Sequence, residues 1–210
     1  MMLNKTTPLF AFAILATATT FNANAAANYE PFIGIDVGSR LSGQMESEST
    51  YYGTKSEKDL SSSMVFGVEG GMTINQTHQI SIGYDYRGTS IENNENSEGS
   101  DDDLEVGTLF TKYNYIVPIT QKLAWTVGGK LGYEMFYADY DADELNGIVL
   151  GAQTGLDYRF HSWSIGTEVN YVYHTNELEA KWTEEDGSSY KDTLKVGDEW
   201  LLMANVKYHF

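Results

Sequence analysis

From Tyr29 to Phe210 the chain alternates large apolar side chains with small or charged ones, with a period of two, in eight separate stretches. In FIGIDVGSRLSG, Ile33, Ile35, Val37 and Leu41 fall on one side and Gly34, Asp36, Gly38 and Arg40 on the other. SMVFGVEGGMTI sets Met64, Phe66, Val68, Met72 and Ile74 against Gly67, Glu69 and Gly71, and HQISIGYDYRG sets Ile80, Ile82, Tyr84 and Tyr86 against Ser81, Gly83, Asp85 and Arg87. VGTLFTKYNYIV sets Leu109, Tyr113, Tyr115 and Val117 against Lys112 and Asn114, although Phe110 and Ile116 share the second side. The scheme repeats in LAWTVGGKLGYEMFY (Lys130 and Glu134 on the small-residue side), GIVLGAQTGLDYRF (Asp157, Arg159), WSIGTEVNYVYH (Glu168, His174) and the terminal EWLLMANVKYHF (Lys207). Period two predicts β-strands with two unlike faces.

The connections alternate as regularly as the side chains. NQT, PITQK and HS are tight turns after the second, fourth and sixth strands, whereas 43–61, 88–104, 138–146 and 175–195 are long and polar. Short turns at one end and long loops at the other predict an eight-stranded, antiparallel, up-and-down transmembrane β-barrel. Strands of about ten residues at ~3.3 Å, tilted by roughly 40°, cover the ~25 Å apolar band that such a barrel turns to lipid. A soluble sandwich or barrel would need the apolar face inside, and its exterior would then be rich in Gly and poor in solvating groups. Lipid outside accounts for the split better.

The N-terminus fits that destination. Lys5, the short apolar core PLFAFAILA and small residues around Ala23–Ala27 have the form of a secretory signal, residues 1–27, cleaved after Ala25 or Ala27; the barrel domain is then 28–210. The chain has no Cys, so no disulfide or lipidated cysteine is expected. A mean hydropathy of −0.36 does not argue against a membrane, because alternating strands dilute their apolar residues with polar ones.

The formal charge of −17 belongs almost wholly to the four long connections, which together with Glu105 at the end of the second carry −16. So acidic a surface argues against a nucleic-acid partner. Solvation is the expected role of these acids. Weak binding of Ca²⁺ or Mg²⁺ is the alternative, but DYDAD at 139–143 has Glu144 where an EF-hand needs Gly and Leu150 where it needs Glu. No cofactor is expected.

The remaining charges fall on the small-residue side of the strands. Asp36, Glu69, Asp85, Glu134, Asp157 and Glu168 stand beside Arg40, Arg87, Lys112, Lys130, Arg159 and Lys207, six acids and six bases. An eight-stranded barrel is barely wide enough inside for its own side chains. Opposite charges confined there are expected to pair into a polar plug, because an unpaired buried charge costs several kcal/mol. A narrow channel for small ions is the alternative.

KYNYIVPIT (112–120), VGGKLGYE (127–134) and the terminal ANVKYHF resemble the small outer-membrane β-barrel superfamily that includes OmpA-type transmembrane domains, OmpX and the opacity adhesins. The resemblance implies a monomer in the Gram-negative outer membrane, among lipid and lipopolysaccharide, delivered by periplasmic chaperones and the barrel-assembly machinery. Val206, Tyr208 and Phe210 resemble the C-terminal signal which that machinery reads. The implied role is structural or adhesive, with a host-cell surface as the contact and Trp182 and Tyr190 as candidate anchors in the last long connection. Two enzyme types occur on barrels of this size, lipid A deacylases and palmitoyltransferases. The deacylase pattern His-x-Ser-Asn is not met by His174-Thr175-Asn176, so no catalysis is expected.

Overall fold

The computed structural model describes residues 28–89, 104–137, 145–184 and 188–210. The expected signal segment, most of the acids of the second long connection and the DYDAD stretch lie outside the described residues. Among those described are twelve strands: β1 (Tyr29–Ser42), β2 (Gln44–Ser49), β3 (Thr54–Asp59), β4 (Met64–Ile74), β5 (His78–Thr89), β6 (Leu104–Pro118), β7 (Leu123–Tyr137), β8 (Gly147–Phe160), β9 (Trp163–His174), β10 (Glu177–Thr183), β11 (Ser189–Val196) and β12 (Glu199–His209).

Eight of them close a barrel in the order β1-β12-β9-β8-β7-β6-β5-β4, and these are the eight stretches of period-two alternation. Closure is antiparallel, running from Phe32 opposite His209 to Ser42 opposite Trp200. The tight turns have the chemistry that hairpins demand. Asn75 and Gln76 both sit in the left-handed region (φ 53° and 57°), and Thr77 N–H donates to Ile74 O at 3.1 Å, the type I′ form that matches strand twist. Thr120 accepts from the N–H groups of Lys122 and Leu123 and so rounds off the turn between β6 and β7.

Exposure alternates as the pleat requires. Ile35 is 63% exposed and its neighbour Asp36 8%. The wall therefore turns its large apolar residues out and its charges in. Aromatic rings gather at two levels of the exterior: Tyr113, Tyr115, Trp125, Tyr158, Trp163 and Tyr208 toward the tight turns, and Tyr86, Tyr133, Tyr137, Tyr173 and Trp200 toward the long connections. Trp200 and Tyr208 lie eight residues apart on β12, about 20 Å along the axis after tilt. Two aromatic girdles around an apolar band suit a bilayer.

The long connections depart from the expectation of solvated loops. Stretches 43–61 and 175–195 form hairpins that join into a second, four-stranded sheet, β10-β11-β2-β3, beyond the barrel rim. The joint is β11 to β2, from Asp192 opposite Ser49 to Val196 opposite Met45. Its base is apolar. Met45, Leu60, Val106, Phe136, Leu145 and Val196 form a buried cluster across the mouth of the barrel, with Leu178 and Leu194 packed on it. Burial of that base is what holds polar hairpins in place, since two exposed strands alone are marginal in water.

Candidate functional site

The lumen holds three groups of charges. At its centre, Glu69 is 1% exposed and lies 3.0 Å from Lys112 and 3.4 Å from Lys207, and it accepts from Ser81 Oγ at 2.9 Å. Lys112 also faces Glu168 at 3.7 Å, and Lys207 faces Asp157 at 3.9 Å while donating to Gln79 Oε1 at 3.2 Å. Lys130 pairs with Asp85 and stands 4.0 Å over the ring of Phe110, which explains how that inward phenylalanine is accommodated among charges. Asp36 makes no ion pair among the described residues, and its Oδ2 has no hydrogen-bond partner there. Its carboxylate and that of Asp85 crowd over Gly67, where a Cβ would meet Asp85 Oδ1, so the glycine makes room for two acids.

Toward the long connections the pairing is tighter. Arg87 bridges Glu134 at 2.7 Å and Glu199 at 2.9 Å and donates to Thr108 Oγ1 at 3.2 Å. Arg40 pairs with Glu199 at 2.8 Å and donates to Ser61 O at 3.1 Å, tying the base of the first connection to the wall. His174 points inward, as the alternation of β9 requires, with Nδ1 at 2.9 Å from Gly197 O and Nε2 at 2.9 Å from Glu134. Immediately above lies the apolar cluster. Two cavities at this level, one lined by Arg40, Arg87 and Glu199 and the other by Glu134 and His174, have volumes of about 10 Å³, room for about one water each.

At the tight-turn end Arg159 does not join the wall acids with which it was grouped. It makes a two-pronged pair with Glu30, at 2.6 Å from Nη1, because β1 begins beside the end of β8 across β9 and β12. His209 Nε2 lies 3.0 Å from Ser164 Oγ, but Nδ1 is 3.9 Å from Glu30, which is held by Arg159. The trio lacks the bond between base and orienting acid that a nucleophilic set requires.

Three participants were missed by sequence reasoning, Glu30, Glu199 and His209, and His174, placed inward by parity, was not expected to pair. Glu199 was detectable, since it has the same parity on β12 as Lys207, but it stands at the strand's first residue beside an acidic connection. The even balance of six acids and six bases does not hold. Counting Glu30 and Glu199, the described interior has eight acids to six Lys and Arg, with His174 between Glu134 and Glu199.

The rim sheet has two unlike faces. One bears Lys191 3.8 Å from Glu177 and also bonded to Glu179, Lys181 2.5 Å from Glu179, and Lys55 3.6 Å from both Glu46 and Glu57. Hydrogen bonds from Lys181 and Lys191 hold the Glu179 carboxyl down at about 2. The other face ends in aromatics. Trp182 and Tyr190 are register partners 6.1 Å apart, and Tyr51 from the first connection packs at 4.7 Å on Tyr190 and 4.8 Å on Tyr52. Tyr52 is 73% exposed and Trp182 38%. At the opposite end Phe210 is 65% exposed, with its ring edge-on to Tyr208 at 5.2 Å and its N–H donating to Pro31 O at 3.0 Å. Val206 and Tyr208 face outward on the same side of β12, Tyr208 against Trp163 at 5.0 Å.

A closed eight-stranded antiparallel barrel with an apolar girdled exterior and a filled polar interior is the architecture of the small outer-membrane β-barrels. The chain is similar in fold to Neisserial surface protein A, NspA (TM-score 0.53, 13% identity, 87% of this chain and 99% of that one). It is also similar to outer membrane protein OprG from Pseudomonas aeruginosa (TM-score 0.57, 12% identity, 88% of this chain and 96% of that one). A third similar structure is outer membrane protein AlkL (TM-score 0.56, 16% identity, 91% of this chain and 95% of that one). No protein-family model and no curated protein matches the chain. At such identities the likeness is one of fold.

Proposed function

We propose that this protein is a monomeric, non-enzymatic barrel of the Gram-negative outer membrane, closed to solutes by its own side chains. Its role is to present an ordered surface, adhesive or structural for the envelope, to a host cell or another partner. The carrying observation is the division of labour along the axis. Apart from Asp36, the interior charges are engaged with one another beneath an apolar lid, while two of the long connections are built into a sheet that ends in Tyr51, Tyr52, Trp182 and Tyr190. Exposed aromatics supply large contact area at small entropic cost, and such residues anchor many interfaces. Against conduction stand the buried bridges from Arg87 to Glu134 and Glu199 and the apolar cluster across the mouth.

The test is binding of bacteria that display the protein to cultured host cells, with Tyr51, Trp182 and Tyr190 replaced together by Ala. Surface display should be unchanged, because none of the three is in the barrel wall, and attachment should fall at least several-fold. Undiminished attachment, in a strain whose attachment depends on this protein, sinks the adhesive reading.

A further inference from the structure

Among the described residues β10 pairs with β11 on one side and with no strand on the other. Its outer edge therefore presents backbone N–H and C=O groups that another strand can use. Edges of this kind are commonly blunted by lysines. β3, at the opposite edge of the same sheet, follows that practice: TKSEKD has Lys55 and Lys58 and no apolar residue. β10 does not. Its sequence ELEAKWT is arranged about Ala180, with Glu179 and Lys181 one residue to either side and Leu178 and Trp182 two.

That arrangement is complementary to itself. When a second β10 runs antiparallel with the two Ala180 residues opposite one another, Glu179 faces the partner's Lys181 and Lys181 faces the partner's Glu179. Leu178 and Trp182 meet in the same reciprocal way on the other face, which already holds Tyr190 and Tyr51. Cross-strand pairs of opposite charge and of aliphatic with aromatic are the stabilising units of a sheet. In-register parallel pairing has the reverse effect, since it sets Glu179 against Glu179 and Lys181 against Lys181.

We propose that β10 is a homotypic docking edge that pairs antiparallel with β10 of a second copy on a facing membrane. The direction follows from topology. β10 continues β9 out of the barrel after only Thr175 and Asn176, so every copy in one membrane sends this strand the same way. Neighbours in one bilayer can offer only parallel edges. An antiparallel edge pair has its two-fold axis perpendicular to the sheet, which brings the two barrels in from opposite directions and closes the contact as a symmetric pair. The overlap of seven residues is about 23 Å long and sets the distance between the two rims. A single such contact is small, and many copies on each surface make it effective. This inference rests on the surface-presenting role above and names the partner as the chain itself.

The experiment uses full-length mature protein in phosphatidylcholine vesicles, one population carrying a donor dye and the other an acceptor, with energy transfer reporting tethering. Wild-type vesicles should tether at least ten-fold above protein-free ones. Lys181→Glu sets Glu against Glu twice and Glu179→Lys sets Lys against Lys twice, so each variant should lose tethering to its own kind. Donor vesicles with Lys181→Glu mixed with acceptor vesicles with Glu179→Lys restore both opposite-charge pairs and should recover tethering. Replacing the acceptor by Glu57→Lys, with the same change of net charge on β3, leaves one Glu–Glu pair and should tether less. Wild-type vesicles that do not tether, single variants that tether like wild type, a mixture without recovery, or equal capture of protein-free vesicles would each overturn the proposal. Vesicles that do not tether one another yet bind host cells through Trp182 and Tyr190 would sink the homotypic edge alone and leave the adhesive reading in place.

Discussion

Glu69→Ala removes the acid that faces both central lysines of the lumen. Glu69 lies 3.0 Å from Lys112 and 3.4 Å from Lys207, and the side chains of all three are at most 5% exposed. Stranding one buried charge costs about 3–5 kcal/mol. Here two lysines lose their nearest acid, but Lys112 keeps Glu168 at 3.7 Å and Lys207 keeps Asp157 at 3.9 Å and Gln79 at 3.2 Å. The lower end, about 3 kcal/mol, is therefore expected. The comparison is Glu57→Ala, which removes an acid whose side chain is 52% exposed and which lies 3.6 Å from Lys55, a loss of no more than about 1 kcal/mol. The assay is urea unfolding of protein refolded into lipid vesicles, followed by the fluorescence of its four Trp. With a slope of roughly 2 kcal/mol per molar urea, the Glu69→Ala midpoint should fall by about 1.5 M and the Glu57→Ala midpoint by less than about 0.5 M. Glu69→Ala combined with Lys112→Met should recover part of the loss, since one stranded cation is then gone. Equal midpoints for the two single variants would mean that water, not pairing, solvates the interior charges, and the plugged lumen would have to be abandoned.

Gln76→Gly should stabilise the barrel by about 1 kcal/mol in the same assay, because Gln76 holds φ 57° in a type I′ turn whose preferred pair is Asn-Gly. Loss of Phe210 should deplete the outer-membrane fraction far more than its contacts suggest, since its ring is 65% exposed; wild-type amounts in that fraction would refute a role as an assembly signal. Replacing residues 177–196 by a short Gly-Ser linker should leave the barrel folded but strip Leu178, Leu194 and Val196 from the lid and remove the β-sheet neighbour of β2, so that trypsin cuts at Lys55 and Lys58 several-fold faster; an unchanged rate would show that β11 does not hold the first hairpin.

The barrel was legible because each wall strand faces two media, and period-two alternation registers that contrast in Ile33, Ile35 and Val37 against Gly34 and Asp36 as plainly as in the folded wall. The hairpins β2–β3 and β10–β11 face water on both sides over most of their length, so a composition rich in Glu, Ser, Lys and Thr masked them. A weak signal was present in Tyr190, Leu194 and Val196 and in Leu178 and Trp182, each set on one parity. The lid could not be seen ahead of the fold: Met45, Leu60, Val106, Phe136, Leu145 and Val196 come from six separate places in the chain, at the ends of strands or in connections. Which inward charges pair was equally hidden. Parity tells that Arg159 points inward, but only strand order and stagger bring it to Glu30 rather than to Asp157 two residues away.

The lumen is filled by its own side chains, and conductance across a planar bilayer tests that most directly. Refolded protein inserted in a phosphatidylcholine bilayer in 1 M KCl should give no stepwise current above the bare membrane, because Arg40, Arg87, Glu134 and Glu199 with the apolar lid occupy the mouth and Glu69, Lys112 and Lys207 the middle. Reproducible unitary steps that scale with salt concentration would contradict it and make the protein a narrow ion channel.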